Sequence, residues 1–151
     1  MSENDKILEL KNVVYSFRTY GGEVKAVRDV SFEVRKGEIL GIVGESGCGK
    51  SVTAQCIMRL NPEPPGFFEG GEIFFNGKDI LKMNKKELRN IRGRDIGFVF
   101  QDPMTSLNPT MRIGKQIEEV FLGRTDISKS EVKEKALEIM KLVGISDVEK
   151  R

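Results

Sequence analysis

The chain has 151 residues, with 25 Lys and Arg against 23 Asp and Glu, no His, no Trp and two Cys. That length suits one compact hydrophobic core. The near-balanced charge gives no general field for nucleic acid or acidic lipid. Zero histidine excludes a Ser/His/Asp triad, a Cys/His dyad, a His general base and His-ligated zinc within the chain.

Cys48 and Cys56 match no zinc or redox spacing. They suit a reducing cytoplasm, as small apolar fillers. The start, Met1 to Lys6, is polar and does not read as a signal peptide. No apolar run approaches the roughly 20 residues that cross a bilayer, so direct bilayer insertion is not expected.

The first elements read as strands. Ile7, Leu8, Leu10, Val13, Val14, Tyr15 and Phe17 precede a Gly21-Gly22 turn. Val24, Ala26, Val27, Val30, Phe32 and Val34 follow, with polar residues between them. This near-alternation predicts a half-exposed strand pair. Residues 39–43 (ILGIV) are almost continuously apolar, as in a strand covered on both faces. A helix is predicted from Lys50 to Leu60, ended by the proline-rich stretch at 61–66. Asn76-Gly77 is a hairpin turn after a strand at 72–75. Asn84 and Glu87 have capping-box spacing before a short basic helix. Residues 96–100 (IGFVF) read as another buried strand, and 102–110 as a turn-rich loop. Helices are expected at 113–122 and after Ser128 or Ser130, the latter stopped by Gly144. The order implies a mixed α/β fold. The basic stretch Lys82 to Arg94 reads as a solvated helix face rather than a nucleic-acid or lipid site.

The chemistry concentrates in Gly44-x-x-x-x-Gly49-Lys50-Ser51, a P-loop pattern between an expected strand and an expected helix. Glycines at 44, 47 and 49 let the backbone curl so that its N–H groups face phosphate oxygens. The helix that starts there adds its positive end. Lys50 supplies an ammonium for the β- and γ-phosphates, and Ser51 a hydroxyl for Mg²⁺. Glu45, Ser46, Cys48 and Val52 complete the expected ATP-binding stretch. A plain glycine-rich turn is the competing reading, but four fixed positions arise by chance on the order of once in a few hundred chains. Cys48 reads as a small loop filler; a thiol made reactive by the helix end and Lys50 is the alternative.

With these motifs in place the whole chain resembles the ATP-binding subunit of an ABC transporter. The likeness rests on the opening strands, on GESGCGKS at 44–51 and on Phe98-Val99-Phe100-Gln101. The segment from Gln101 to Gly114 (QDPMTSLNPTMRIG) resembles the oligopeptide and dipeptide importer branch, as does Gly44 to Thr53. The resemblance implies a P-loop NTPase core portion with an N-terminal antiparallel β-subdomain and the start of a helical subdomain. It places the core portion at 1–101 and the coupling loop with the helical start at 102–151. It implies that an aromatic late in the first strand stacks on adenine, Phe17 in preference to Tyr15. Gln101 corresponds to the family glutamine that reaches Mg²⁺ and water, and residues near 102–112 to the surface that meets transmembrane permease subunits. ATP and Mg²⁺ are the implied ligands, and a second ATP-binding subunit the implied partner. The implied location is peripheral, at the cytoplasmic face of the membrane, or cytosolic if unassembled.

The family pattern continues with a Leu-Ser-Gly-Gly-Gln signature, an apolar strand ending in Asp beside a catalytic Glu, and a switch His; none occurs in these 151 residues. No catalytic set is therefore complete on the chain, and Glu45 has no reason to act as the base. The resemblance also makes 39–43 a central strand whose neighbours lie elsewhere, so the chain alone is expected to be marginally stable or adhesive. The leading reading is the nucleotide-cradling part of an importer ATPase subunit that energises uptake of peptides or similar solutes. The alternatives are a binding-only module without hydrolysis and a P-loop small-molecule kinase.

Overall fold

A computed structural model of the chain describes residues 5–102, 106–122 and 127–146. Two compact units are present, Met1–Arg92 and Gly93–Arg151.

The first unit is built on a four-stranded antiparallel sheet. Its strands are β1 (Lys6–Thr19), β2 (Gly22–Arg35), β3 (Gly66–Phe75) and β4 (Lys78–Asp79), in the order β2-β1-β3-β4. Asn76 and Gly77 both have positive φ, at 47° and 74°, which is the backbone a two-residue hairpin requires. Helix α1 (Lys50–Ile57), a 3-10 turn (Ile80–Lys82) and helix α2 (Lys85–Ile91) complete the unit. Asn84 caps α2 by accepting from the Lys86 and Glu87 amides, while Glu87 accepts from the Asn84 amide. That is the capping box expected from the spacing. The core joins Leu10, Val13 and Tyr15 of β1, Val27 of β2, Ile73 of β3, Cys56 of α1, Ile80 and Leu88. Each large aliphatic buried there contributes about 1.5–3 kcal/mol.

The sheet is creased across three strands. Asn12, Asp29 and Gly71, on β1, β2 and β3, all have positive φ, at 47°, 53° and 94°. Register shifts fall between Leu10 and Val13 against β2, and between Lys11 and Val14 against β3. The Asn12 amide group donates to Asp29 Oδ1 at 2.8 Å, and its backbone N–H donates to Ser31 Oγ at 2.8 Å. A Cβ on Gly71 would stand 2.5 Å from the Asn12 carbonyl oxygen, so glycine is needed for space as well as for φ.

Two predicted strands are not formed. Residues 39–43 join no ladder. Ile39 and Val43 are 97% and 93% exposed, and Leu40 and Ile42 are also exposed. Of residues 96–100, Ile96 makes an isolated bridge and 97–100 join no ladder; Val99 and Phe100 are exposed, and the Phe98 and Phe100 rings lie 4.8 Å apart. The physical reason is pairing: a strand needs neighbours for its backbone groups, and none of the described strands is hydrogen-bonded to these segments. An apolar, uncharged, unpaired segment such as 39–43 favours intermolecular association. Light scattering of the purified chain is expected to rise with concentration, and Ile42→Lys to suppress that rise. Unchanged scattering in the variant would place the adhesive surface elsewhere.

In the second unit, α3 (Ile113–Leu122) packs against α4 (Lys129–Leu142). Ser128 caps α4, its Oγ accepting from the Glu131 amide at 3.3 Å, while Glu131 accepts from the Ser128 amide at 2.8 Å. Val132, Ala136 and Met140 are the buried stripe of α4, and Gly144, at φ 79°, follows its C-cap. Gln116 of α3 gathers the preceding loop, donating to the carbonyls of Asn108 and Met111 at 2.9 Å each and accepting from the Asn108 amide at 2.9 Å. Loop and helices border an open groove of about 580 Å³, lined in part by Leu107, Met111, Val120, Phe121 and Ile139. No described helix is long and apolar enough to cross a membrane.

Candidate functional site

The predicted phosphate loop forms a compact turn running into α1. Gly47 and Gly49 take positive φ, at 79° and 95°. Gly49 is the N-cap of α1, and no side chain caps this helix start. The first helical bond runs from the Thr53 amide to the Gly49 carbonyl at 2.8 Å, and Thr53 Oγ1 donates to the same oxygen at 2.9 Å. Gly49 also sits against β2: a Cβ there would overlap the Ala26 carbonyl oxygen. This close approach is a second reason for glycine, and the motif alone did not reveal it.

Lys50 folds back over the loop. Its ammonium donates to the carbonyls of Gly44 at 2.8 Å and Glu45 at 2.6 Å, and lies 3.5 Å from Cys48 Sγ. The structure thus gathers Gly44, Glu45 and Cys48 around the Lys50 ammonium, at the uncapped end of a helix that starts after Gly49. Ser51 and Val52 form the first turn, with Ser51 exposed. Among the described residues no group of three His, Cys, Asp or Glu could hold a metal ion. A divalent cation here would therefore have to take its oxygens mainly from a phosphate ligand and from retained water, which is the usual manner of Mg²⁺.

The two aromatic candidates differ sharply in environment. Tyr15 is fully buried, edge-on to Phe17 at 5.3 Å and to Phe68 at 4.7 Å. Among the described residues its hydroxyl has no hydrogen-bond partner, and it lies where a Gly66 side chain would otherwise be. Burial, with Glu63 and Cys56 nearby, pushes its pKa up to about 12. Tyr15 thus has no open ring face. Phe17 is half-buried near the end of β1, opposite Val24 of β2 and Gly66 of β3. Gln101 is exposed and belongs to the second unit. Of the segment 102–112, residues 103–105 lie outside the described residues.

The basic stretch divides. Lys82 is exposed and paired with Asp79 at 2.8 Å, and Lys85, Lys86 and Arg89 are exposed. Arg92 departs from the solvated reading: it is half-buried and donates to backbone carbonyls at the far end of α1.

A profile of the ABC transporter family matches residues 27–151. The chain belongs to the ABC transporter family. It is 58% identical over 146 residues to the oligopeptide transport ATP-binding protein OppD of Bacillus subtilis, covering 97% of this chain and 41% of that protein. It is 50% identical to the dipeptide transport ATP-binding protein DppD of the same organism, covering 95% of this chain and 43% of that protein. The chain therefore spans about two-fifths of the curated relatives it matches. Among solved structures it is similar to a dimeric, post-hydrolysis state of the ATP-binding cassette MJ0796 bound to ADP and Pi. The TM-score is 0.76 at 27% identity, covering 93% of this chain and 58% of that one. The ABC ATPase likeness accounts for the antiparallel sheet beside a P-loop helix.

The two cysteines of this sequence differ in exposure. Cys56 is fully buried, and burial pushes its thiol up to about 12, against the opposing donation from Asn61 Nδ2 at 3.3 Å. Cys48 is exposed. Maleimide at neutral pH is expected to label Cys48 alone in the native state, and Cys56 only after denaturation, because the thiolate is the nucleophile. Mass spectrometry finding Cys56 labelled first would overturn this.

Proposed function

We propose that this chain is the ATP-cradling part of an ABC importer ATPase subunit that energises uptake of peptides or similar small solutes. The observation that carries the reading is the Lys50 ammonium seated inside the Gly44–Ser51 loop, at the uncapped start of α1. The ADP and Pi of the cassette MJ0796 structure, and the oligopeptide and dipeptide transport names of the relatives, support it.

The loop's own groups suit a nucleotide's phosphates. Amides at the α1 start, lacking a side-chain cap, are donors for an anion. Lys50 can exchange its two carbonyl partners for phosphate oxygens, which bind an ammonium more strongly because they are charged. Ser51, exposed in the first turn, offers one hard oxygen to Mg²⁺, and the family resemblance is what assigns a second to Gln101. Mg²⁺ would neutralise phosphate charge in the bound complex. Phe17 is the aromatic we assign to adenine, because Tyr15 is sealed in the core.

The partners follow from the same reading: a second ATP-binding subunit, and transmembrane permease subunits meeting residues near 102–112. The groove between that loop and α3 gives an apolar seat there. The protein would then act peripherally at the cytoplasmic face of the membrane. No general base for water is present in the loop, so binding without hydrolysis is the second reading for this chain. Calorimetric titration with MgATP, and phosphate release measured beside Lys50→Ala, separate the two. Release that depends on Lys50 sinks the binding-only reading, and binding indifferent to Lys50 sinks the site itself.

A further inference from the structure

We propose that Arg92 is a positioning residue for the phosphate cradle, acting from the opposite end of α1; this rests on the nucleotide-site reading above. The C-terminal end of α1 is closed by an unusual arrangement. The Arg59 amide bonds the Cys56 carbonyl at 3.0 Å, and the Leu60 amide reaches back to the Gln55 carbonyl at 2.9 Å. These are the paired bonds of a Schellman closure, which wants a left-handed residue, usually glycine, just past the helix. Here that residue is Arg59, at φ 48°. A non-glycine side chain in this conformation persists only when its surroundings hold it.

Arg92 supplies that hold. Its Nε donates to the Met58 carbonyl at 2.9 Å and its Nη2 to the Arg59 carbonyl at 2.6 Å. One guanidinium fork thus takes two successive carbonyls at the negative end of the helix, a geometry that a lysine cannot copy. Arg59 in turn donates to the carbonyls of Leu81 and Met83, at 3.4 and 3.3 Å. The end of α1 is therefore tied to the end of α2 and to the 3-10 turn region.

Thr53 and Cys56 are the buried residues of α1, with Val52 and Ile57 partly buried against the core. Polar anchors add to this seat in fixing the helix along its own axis. Eight residues make a rod of about 12 Å, with the phosphate loop at one end and the Arg92 fork at the other. A shift at the fork moves Gly49 relative to Ala26, where there is no slack.

The test measures MgATP affinity and the melting midpoint of the full chain together. Arg92→Gln is expected to raise Kd about three- to thirtyfold, and Arg92→Lys to recover part of the loss through a single carbonyl contact. Phe74→Ala, on the opposite sheet face beside Lys11, is the control: it should lower the midpoint and leave Kd unchanged. Amide exchange at Gly49 to Val52 should quicken in Arg92→Gln and not in the control. A Kd for Arg92→Gln within twofold of the parent, while Lys50→Ala has lost binding, overturns the proposal. Equal binding by Lys50→Ala overturns the nucleotide site instead. If Arg92→Gln does not fold, Arg92→Lys decides: a raised Kd at native midpoint supports the role, and an unchanged one ends it.

Discussion

Replacing Lys50 by alanine is expected to weaken MgATP binding about ten- to a hundredfold, the effect of losing charge-assisted hydrogen bonds worth about 1.5–3 kcal/mol. The unliganded fold should hardly change. Lys50 now bonds the Gly44 and Glu45 carbonyls and Cys48 Sγ, all in an exposed loop where water can replace the ammonium. The melting midpoint should therefore stay close to that of the parent while affinity collapses. Lys50→Arg should not restore binding, because a planar guanidinium does not fit a cradle shaped for a compact ammonium. Calorimetry with a parallel thermal melt checks both halves. A midpoint that falls together with affinity would mean that the tether holds the fold rather than the ligand.

Gly49→Ala is expected to damage fold and site together. A side chain at φ 95° costs about 1–3 kcal/mol in backbone strain. The new methyl also collides with the Ala26 carbonyl oxygen, which is fixed by β2. Either the strand or the helix start must move, and the first turn carries Lys50 and Ser51. Gly47→Ala is the informative comparison. Gly47 also has positive φ, at 79°, but nothing stands within 4 Å of its would-be Cβ. It should bear the strain alone and keep the helix in place. Urea midpoints and MgATP titrations of the two variants should therefore rank Gly49→Ala as the more severe on both scales. Equal losses would mean that the approach to Ala26 does not constrain the loop.

Local signals in the sequence were legible where they were self-sufficient. Asn76-Gly77 dictates its hairpin, and Asn84 with Glu87 its capping box, because all partners lie within four residues. The P-loop was legible for the same reason, its glycines and Lys50 making one closed local turn. Residues 39–43 and 96–100 were misread as formed strands. Apolar continuity reports what a segment would bury, not whether a neighbour is there to pair with it. The helix after the loop was drawn to Leu60 because proline looked like the stop. It ends at Ile57, since Arg59 turns left-handed under the hold of Arg92, a residue more than thirty positions away in sequence. The different burial of Tyr15 and Phe17 was not legible either, because bulges in β1 break the simple two-residue alternation.

The crease at Asn12, Asp29 and Gly71 has a consequence for how the strands find one another. The turn between β1 and β2 falls at Tyr20-Gly21, with Gly22 paired to Thr19, and it sets the register at the hairpin end; shifts along β1 break that register before the strand middle. The crease works as a keyway. Only one alignment brings the Asn12 amide to Asp29, its backbone to Ser31, and the bare face of Gly71 beneath its carbonyl. Sliding β1 by one residue loses all three fits at once. A mistaken pairing therefore meets a lock that does not turn, and the sheet that backs the phosphate loop is indexed from its middle as well as from its hairpin ends.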